Sequence, residues 1–423
     1  MRAALPLLCL IAFPGWAELP GPRALGCPEA GVVRTSAGLT SVLADPNGPK
    51  EIWVAGTLIG DFFLARPLKI HGCEQATLQG GGKGTVLTVE ADDVVLEDLR
   101  LTKSGSRPTT EDAALKVKGK RNLLRHLSAD DVLYGYTLEG CQQCQLEWST
   151  VHGRDIEESL RGDGIKLWEA HGSSVKHCEA EAVRDVVVWY SRQVTLEDNR
   201  ISHGRYGTHF MYAHDSTVRR SVLRDNVVGI FVMYSNRVTA EDNVLAGARG
   251  SAGLGIGFKE SDSAVLNRND LVANSVGVYF DRTPFSITAT VELHDNLFAL
   301  NAVALRFHNS EQRVVAADND FRDNDVLAEV DGGGNATGVS FEHNHWDDYA
   351  GYDLNHDGTG DVPFVLKQLS SDLASARPQL RYFHGTASLA LYDAIAQAMP
   401  FFGSKKLLED LRPAMRPHRK VAR

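Results

Sequence analysis

Two methionines set one repeat apart carry the most pointed chemistry in this chain. Tyr206 to Ser216 reads YGTHFMYAHDS and Val228 to Asn236 reads VGIFVMYSN, so Gly207 answers Gly229, Met211 answers Met233 and Tyr212 answers Tyr234. The chain has 5 methionines including the initiator, and two of them share this matched position. A thioether has no proton to lose and binds soft ions, Cu(I) above all, and imidazole suits copper as well. It also survives an oxidising compartment where a thiolate would be lost. His209 stands two residues before Met211, which strand alternation puts on the same face. Comparing "YAHDSTV" with "YSNRV" predicts two extra residues after Met211, an outward bulge that would bend His214 toward the pair. Met211, Met233, His209 and His214 are therefore the candidate copper ligands. Composition alone favours a plainer reading, with methionine as apolar filler and the histidines in solvent.

These residues must be positioned by the repeats around them. From about residue 85 to 345 the chain is a succession of short β-branched runs closed by Asn, Asp or Gly, such as "VTLEDNRI" and "VTAEDNVL", recurring about every 21 to 29 residues. No helical pattern intervenes, which disfavours βαβ folds, and a period in the twenties marks a solenoid. The leucine-rich repeat pattern is absent, so the expected fold is all-β, a right-handed parallel β-helix with a short C-terminal helical tail. Asn199, Asn243, Asn269 and Asn296 fit turn positions. Gly164, Gly207, Gly229, Gly255 and Gly277 begin equivalent short strands. Counting four on from the Gly-type positions predicts a stacked column of Glu139, Trp168, Trp189, Met211, Met233, Lys259, Asp281 and His308. Beside it runs Glu169, Tyr190, Tyr212, Tyr234, Glu260 and Arg282, with about 4.8 Å between rungs. An inward column would be aliphatic throughout. Trp168, Trp189, Tyr190, Tyr212, Tyr234, Lys259, Asp281 and Arg282 are thus candidates for contact with a partner, and the tryptophans equally for stacking on sugars.

Catalysis has its own candidates. Asp130, Asp131, Asp155, Glu157, Glu158 and Asp163 could supply paired acids, and Lys259, Glu260, Asp281 and Arg282 form a charged cluster, for a polysaccharide lyase, hydrolase or epimerase. Surface ion pairs explain the same charges, and no epimerase-type motif is present. The formal charge of -10 and pI near 5.8 argue against a nucleic-acid binder. MRAALPLLCLIAFPGWA has a positive start, an apolar run too short to span a bilayer and small residues at its end, the pattern of a cleaved export signal over residues 1–17. Among the remaining cysteines, Cys27 with Cys73 is a plausible clamp, Cys141 and Cys144 favour a local disulfide over a metal or redox site, and Cys178 makes the count odd.

The motifs "GDGIKLWEAHGSSV", "VRDVVVWYSRQVTLEDN", "GRYGTHFMYAHDS", "NVVGIFVMYSNRV", "GLGIGFKESD", "GVYFDRTPF" and "WDDYAGYDLNHDGTGDVP" together resemble the NosD family, periplasmic maturation proteins of nitrous oxide reductase. The resemblance runs in order along essentially the whole exported chain. It implies a β-helix without enzymatic turnover, located in the periplasm. Such a protein works with an ABC transporter (permease and ATPase), a lipoprotein copper chaperone and the apo-reductase to assemble a copper–sulfur cluster. It raises transient Cu(I) binding to the favoured reading of the methionine face and implies membrane contact only through the transporter.

In "DLNHDGTGD", Asp353, Asn355, Asp357, Thr359 and Asp361 alternate around Gly358 as in a calcium loop, but Phe364 stands where the bidentate Glu belongs; calcium and a capping turn are both open. Trp346 and Tyr349 are expected to cover the last coil. The solenoid is expected over 18–380. Residues 381–423 form a separate segment, with Leu389, Leu391, Ile395 and Met399 on one face of a helix ended by Pro400, and Phe401 and Phe402 following. With its basic end, this segment is expected to dock on the transporter's membrane subunit.

Overall fold

The computed structural model describes residues 20–308, 313–331, 334–367 and 406–419, with single positions at 379, 386, 388 and 391. Short strands wind into a parallel β-solenoid of about 13 turns, as the repeat spacing requires. One face is a continuous sheet of 12 parallel strands, from Phe62–Leu64 to Val326–Val330, and the methionine face lies on it. The interior is filled by stacked Leu, Val, Ile and Phe, with rows such as Phe258, Phe280 and Phe307 at 5.6 and 5.0 Å between centroids. A second aromatic row, Phe298, Phe321, Trp346 and Phe364, reaches the C-terminal end of the core. Trp346 is 1% exposed there and Tyr349 lies edge-on to Phe364, so both cover the last coil.

The asparagines do sit at turns, but inside the solenoid. Asn269 Oδ1 accepts from Asn243 N and Nδ2 at 3.1 and 3.0 Å, and Asn296 Oδ1 accepts from Asn269 in the same way. The ladder continues through Asn319 and Asn344. Asn199 joins it at the other end through Ser221, whose amide donates to Asn243 Oδ1. Each side chain satisfies backbone groups that the corner would otherwise bury unpaired. At Gly229 a Cβ would stand 2.5 Å from the Gly255 carbonyl oxygen of the next coil, which is why the matched glycines recur.

Three features were not legible in the repeats. A helix over Ser36–Ala44, capped by the Thr35 hydroxyl, buries Leu39 and Leu43 over the N-terminal end. Cys27 and Cys73 form the expected disulfide clamp, whereas the pairing expected of Cys141 and Cys144 is absent, both being buried free thiols. The expected CxxC disulfide is thus replaced by inward-facing core residues, the Cys141 thiol donating to the Val117 carbonyl at 3.3 Å. Finally, residues 406–419 belong to the solenoid rather than to a free tail. Lys406–Asp410 is a strand antiparallel to Phe364–Lys367, with Lys406 opposite Lys367. It buries Leu407 and Leu408. Asp410 Oδ2 then takes the next rung of the asparagine ladder, accepting from Asn344 N and Nδ2 and from Trp346 Nε1. Of the apolar residues in this strand and its turn, Leu407 and Leu408 are core and Leu411 is exposed. Leu391 is exposed; Leu389, Ile395, Met399, Phe401 and Phe402 lie outside the described residues, as does the export signal.

Candidate functional site

The predicted column forms in register. Glu139 pairs with Trp168, Trp168 with Trp189, Trp189 with Met211, Met211 with Met233, Met233 with Lys259, and Lys259 with Asp281. His308 follows Phe307, which pairs with Phe280, so it continues the row. The neighbouring column turns the corner. Glu169, Tyr190, Tyr212, Tyr234, Glu260 and Arg282 all hold positive φ, between 44° and 51°. Side chains there project outward, and Tyr190, Tyr212 and Tyr234 stack at 5.2 and 5.1 Å. Trp168 tilts against Tyr190 at 5.0 Å, so one aromatic surface joins both columns.

Within this surface His209 and Met233 meet. Phe210 points into the core, so His209 and Met211 face outward with the methionine row. His209 is opposite Phe231 in the register, and its Nε2 reaches diagonally to Met233 Sδ at 3.1 Å. Met211 is the rung beside Met233. Trp189, Tyr206 and Phe231 surround the imidazole at centroid distances of 5.6, 4.8 and 6.0 Å. Burial in this aromatic box pushes the His209 pKa down to about 4. The ring is therefore neutral at ordinary pH, the form a metal ion needs.

The proton on that ring sits on the nitrogen aimed at sulfur. Trp189 Nε1–H donates to His209 Nδ1 at 3.3 Å, which leaves Nε2 protonated toward Met233. Ligation through Nε2 requires the opposite tautomer, with Nδ1–H facing the indole donor. Metal ligation through Nε2 would therefore have to displace the Trp189 donor. Trp189→Phe removes the opposing donor, and Cu(I) affinity is expected to rise about 10-fold, the lower end of outer-shell effects; a fall in affinity, measured against a chromophoric chelator, would contradict this role.

His214 does not join the site. Met211 and Met233 are paired, and so are Thr217 and Thr239, at the same 22-residue offset (233 − 211 and 239 − 217). The coil therefore carries no insertion, and the expected bulge is absent. His214 lies past the Tyr212 corner, opposite Arg192, and its Nδ1 accepts the Asn236 amide at 3.2 Å. Aligning the letters on the closing valines, Val218 with Val238, hid the match of His214 to Asn236, since Val218 pairs with Ala240.

Three of the candidate acids are engaged by arginines. Asp130 is held by Arg100, Asp131 by Arg154, and Asp163 by Arg184. A cleft of about 440 Å³ lined by Glu157, Glu158, Ser159, Arg184 and Arg205 adjoins them. Asp163 is raised to about 6, chiefly by burial. Lys259 stands 4.0 Å from Asp281 and Arg282 2.9 Å from Glu260, as surface pairs. In the closing loop, Asp353 accepts from the amides of Asp357 and Gly358, Asp357 from Thr359, and Asp361 from Leu354. These carboxylates are engaged in closing their own turns.

The fold and its outward aromatic face define a parallel β-solenoid of the kind seen in the mannuronan C-5 epimerase AlgE6 A-module of Azotobacter vinelandii. That structure has a TM-score of 0.57 at 13% identity, covering 74% of this chain and 96% of that one. An N-terminal fragment of the bacteriophage Phi29 gene product 12 has a TM-score of 0.50 at 13% identity, covering 68% of this chain and 65% of that one. At such identities the likeness is one of fold alone. The chain is similar to the NosD family: the family model described as "Periplasmic copper-binding protein (NosD)" matches residues 147–351. Two relatives, each named "Probable ABC transporter binding protein NosD", are similar along most of their length. The protein from Stutzerimonas stutzeri is 24% identical over 429 residues, 89% of each chain. That from Pseudomonas aeruginosa is 28% identical over 426 residues, 88% of this chain and 89% of the relative. Among the described residues no helix is long and apolar enough to cross a membrane.

Proposed function

We propose that this protein is a periplasmic accessory factor that receives Cu(I) as cargo on the methionine face, for assembly of the copper–sulfur site of nitrous oxide reductase, with no turnover of its own. The observation that carries this reading is the His209 Nε2 to Met233 Sδ approach of 3.1 Å beside the registered Met211. Two thioethers and one neutral imidazole form a soft donor set suited to Cu(I). The family model, described as copper-binding, supports the metal, and the relatives' names support association with an ABC transporter. The opposing Trp189 hydrogen bond makes the site one that lets its ion go, as a transfer protein requires. A copper chaperone would deliver the ion, the transporter's permease and ATPase would drive the cycle, and the apo-reductase would receive it. The outward Trp168, Tyr190, Tyr212 and Tyr234 surface, with Lys259, Asp281 and Arg282 below it, is the contact area for these partners. The arginines that hold Asp130, Asp131 and Asp163 weigh against these three as the acids of an epimerase or lyase.

An anaerobic Cu(I) titration tests the reading. One equivalent should bind with a change in tryptophan fluorescence from Trp189. Because His209 is held neutral by burial, affinity should stay flat between pH 5.5 and 7.5, whereas an exposed imidazole with pKa near 6.5 would lose about 10-fold over that range. Failure to bind, or a proton-competition slope near pH 6.5, would remove His209 from the site. The same depressed pKa has a stability consequence. The folded form has the lower pKa, so the unfolded chain binds the extra proton first, and stability falls as pH drops from about 6.5 towards 4.

A further inference from the structure

We infer that the C-terminal end of the solenoid carries a second, chemically different metal site: Asp318, His343 and His418 bind one divalent transition-metal ion of the zinc class. The ligating atoms of these three residues lie within 4.8 Å of one another, and each is half-buried. The site is built at one corner of the coil. Asp318 and His343 hold the same left-handed conformation, with φ of 56° and 55°, one coil apart, and His343 Nδ1 is 2.7 Å from Asp318 Oδ1. Earlier in this corner column, Arg220 faces Asp198 and Arg268 faces Asp242 as charge pairs. At the last rung an imidazole stands where those pairs use a guanidinium, and a second imidazole is brought in from 75 residues away in sequence.

The returning C-terminal segment places that second ring. The His418 amide donates to Asp320 Oδ1 at 2.9 Å, the Arg419 amide donates to Asp320 Oδ2 at 3.0 Å, and Ala414 bridges His345 and Thr359. His418 Nε2 lies 2.8 Å from the His343 carbonyl oxygen, and the two rings meet edge-on at 4.9 Å. His345, whose buried Nδ1 has no hydrogen-bond partner, sits within electrostatic reach of His418. Two imidazoles and a carboxylate form a borderline-to-hard donor set, distinct from the thioether face and typical of zinc, with water completing the shell. Around a common ion with bonds of about 2.0–2.2 Å the donors must draw a little closer, and partly exposed side chains can do so. Such an ion would fasten residues 406–419 to the end of the solenoid.

The test uses the full chain and Zn(II) alone, by calorimetry in a non-chelating buffer, with Co(II) substitution as an optical readout. One equivalent of Zn(II) is expected, with tetrahedral-type ligand-field bands for Co(II). His343→Asn with His418→Asn should weaken Zn(II) at least 10-fold, and the near-isosteric Asp318→Asn should weaken it too. Met211→Leu with Met233→Leu should leave Zn(II) binding unchanged, which separates this site from the copper reading. The inference is overturned if wild type shows no Zn(II) binding or no Co(II) bands, if Asp318→Asn binds as wild type does, or if the methionine variant loses the ion equally.

Discussion

Replacing Met211 and Met233 together by leucine is expected to lower Cu(I) affinity by about 100-fold or more while leaving the fold intact. Outer-shell changes at metal sites cost 10–100-fold, so loss of two ligating sulfurs must reach at least the top of that range. The structural cost is small, because leucine conserves volume and such exchanges cost less than about 1.5 kcal/mol. Both side chains are half-buried on the outer face, so no core cavity opens. The single variants should divide the effect unequally. Met233 lies within reach of His209 Nε2, whereas Met211 is its neighbour along the strand pairing, so Met233→Leu should cost more than Met211→Leu. Chelator competition on the four proteins decides the matter, and equal affinities across the set would remove the thioethers from the site.

Asn296→Leu should have the largest effect on stability, about 3–5 kcal/mol. Asn296 Oδ1 accepts from both Asn269 N and Asn269 Nδ2, and its own Nδ2 donates to the Leu266 carbonyl at 2.9 Å. Leucine fills the space but leaves the Asn269 amide without its acceptor in a fully buried corner. Each buried polar group so orphaned costs about 1–3 kcal/mol, and the amide ladder polarises its neighbours. In a solenoid this loss is felt chiefly by the flanking coils. Hydrogen exchange at Asn269 and Leu297 should therefore accelerate more than exchange near Val54. A uniform change along the chain, or a loss under 1 kcal/mol in chemical denaturation, would contradict the account.

Much of the fold was legible because a solenoid writes its register into the sequence. The column from Glu139 to Asp281 follows from counting on the matched positions, most of them glycines; at Gly207, Gly229 and Gly255 a Cβ would meet the carbonyl of the next coil. His209 was legible for the same reason, through alternation from Met211. The diagonal from His209 to Met233 was not, because it depends on how the ring tilts in its aromatic box. His214 misled because an alignment on single letters cannot tell an insertion from a substituted corner. His418 was invisible as a site residue, since nothing local in "RPHRK" tells where the segment returns. Asp410 was missed similarly: it stands in for asparagine at a rung supplied by a distant part of the chain.

That return has a topological consequence. Lys367 and Lys406 are opposite one another across an antiparallel pair, so residues 368–405 leave and re-enter the solenoid at the same point. The apolar segment expected to meet the transporter is therefore an insert with a closed stem, not a chain end. Because the stem strands Phe364–Lys367 and Lys406–Asp410 pair with each other, joining them by a tight turn is expected to keep the coils in register, which circular dichroism and thermal melting of such a variant would check. Equally, a nick within it would leave two pieces that remain one particle, because Asp410, Ala414, His418 and Arg419 hold the second piece in place.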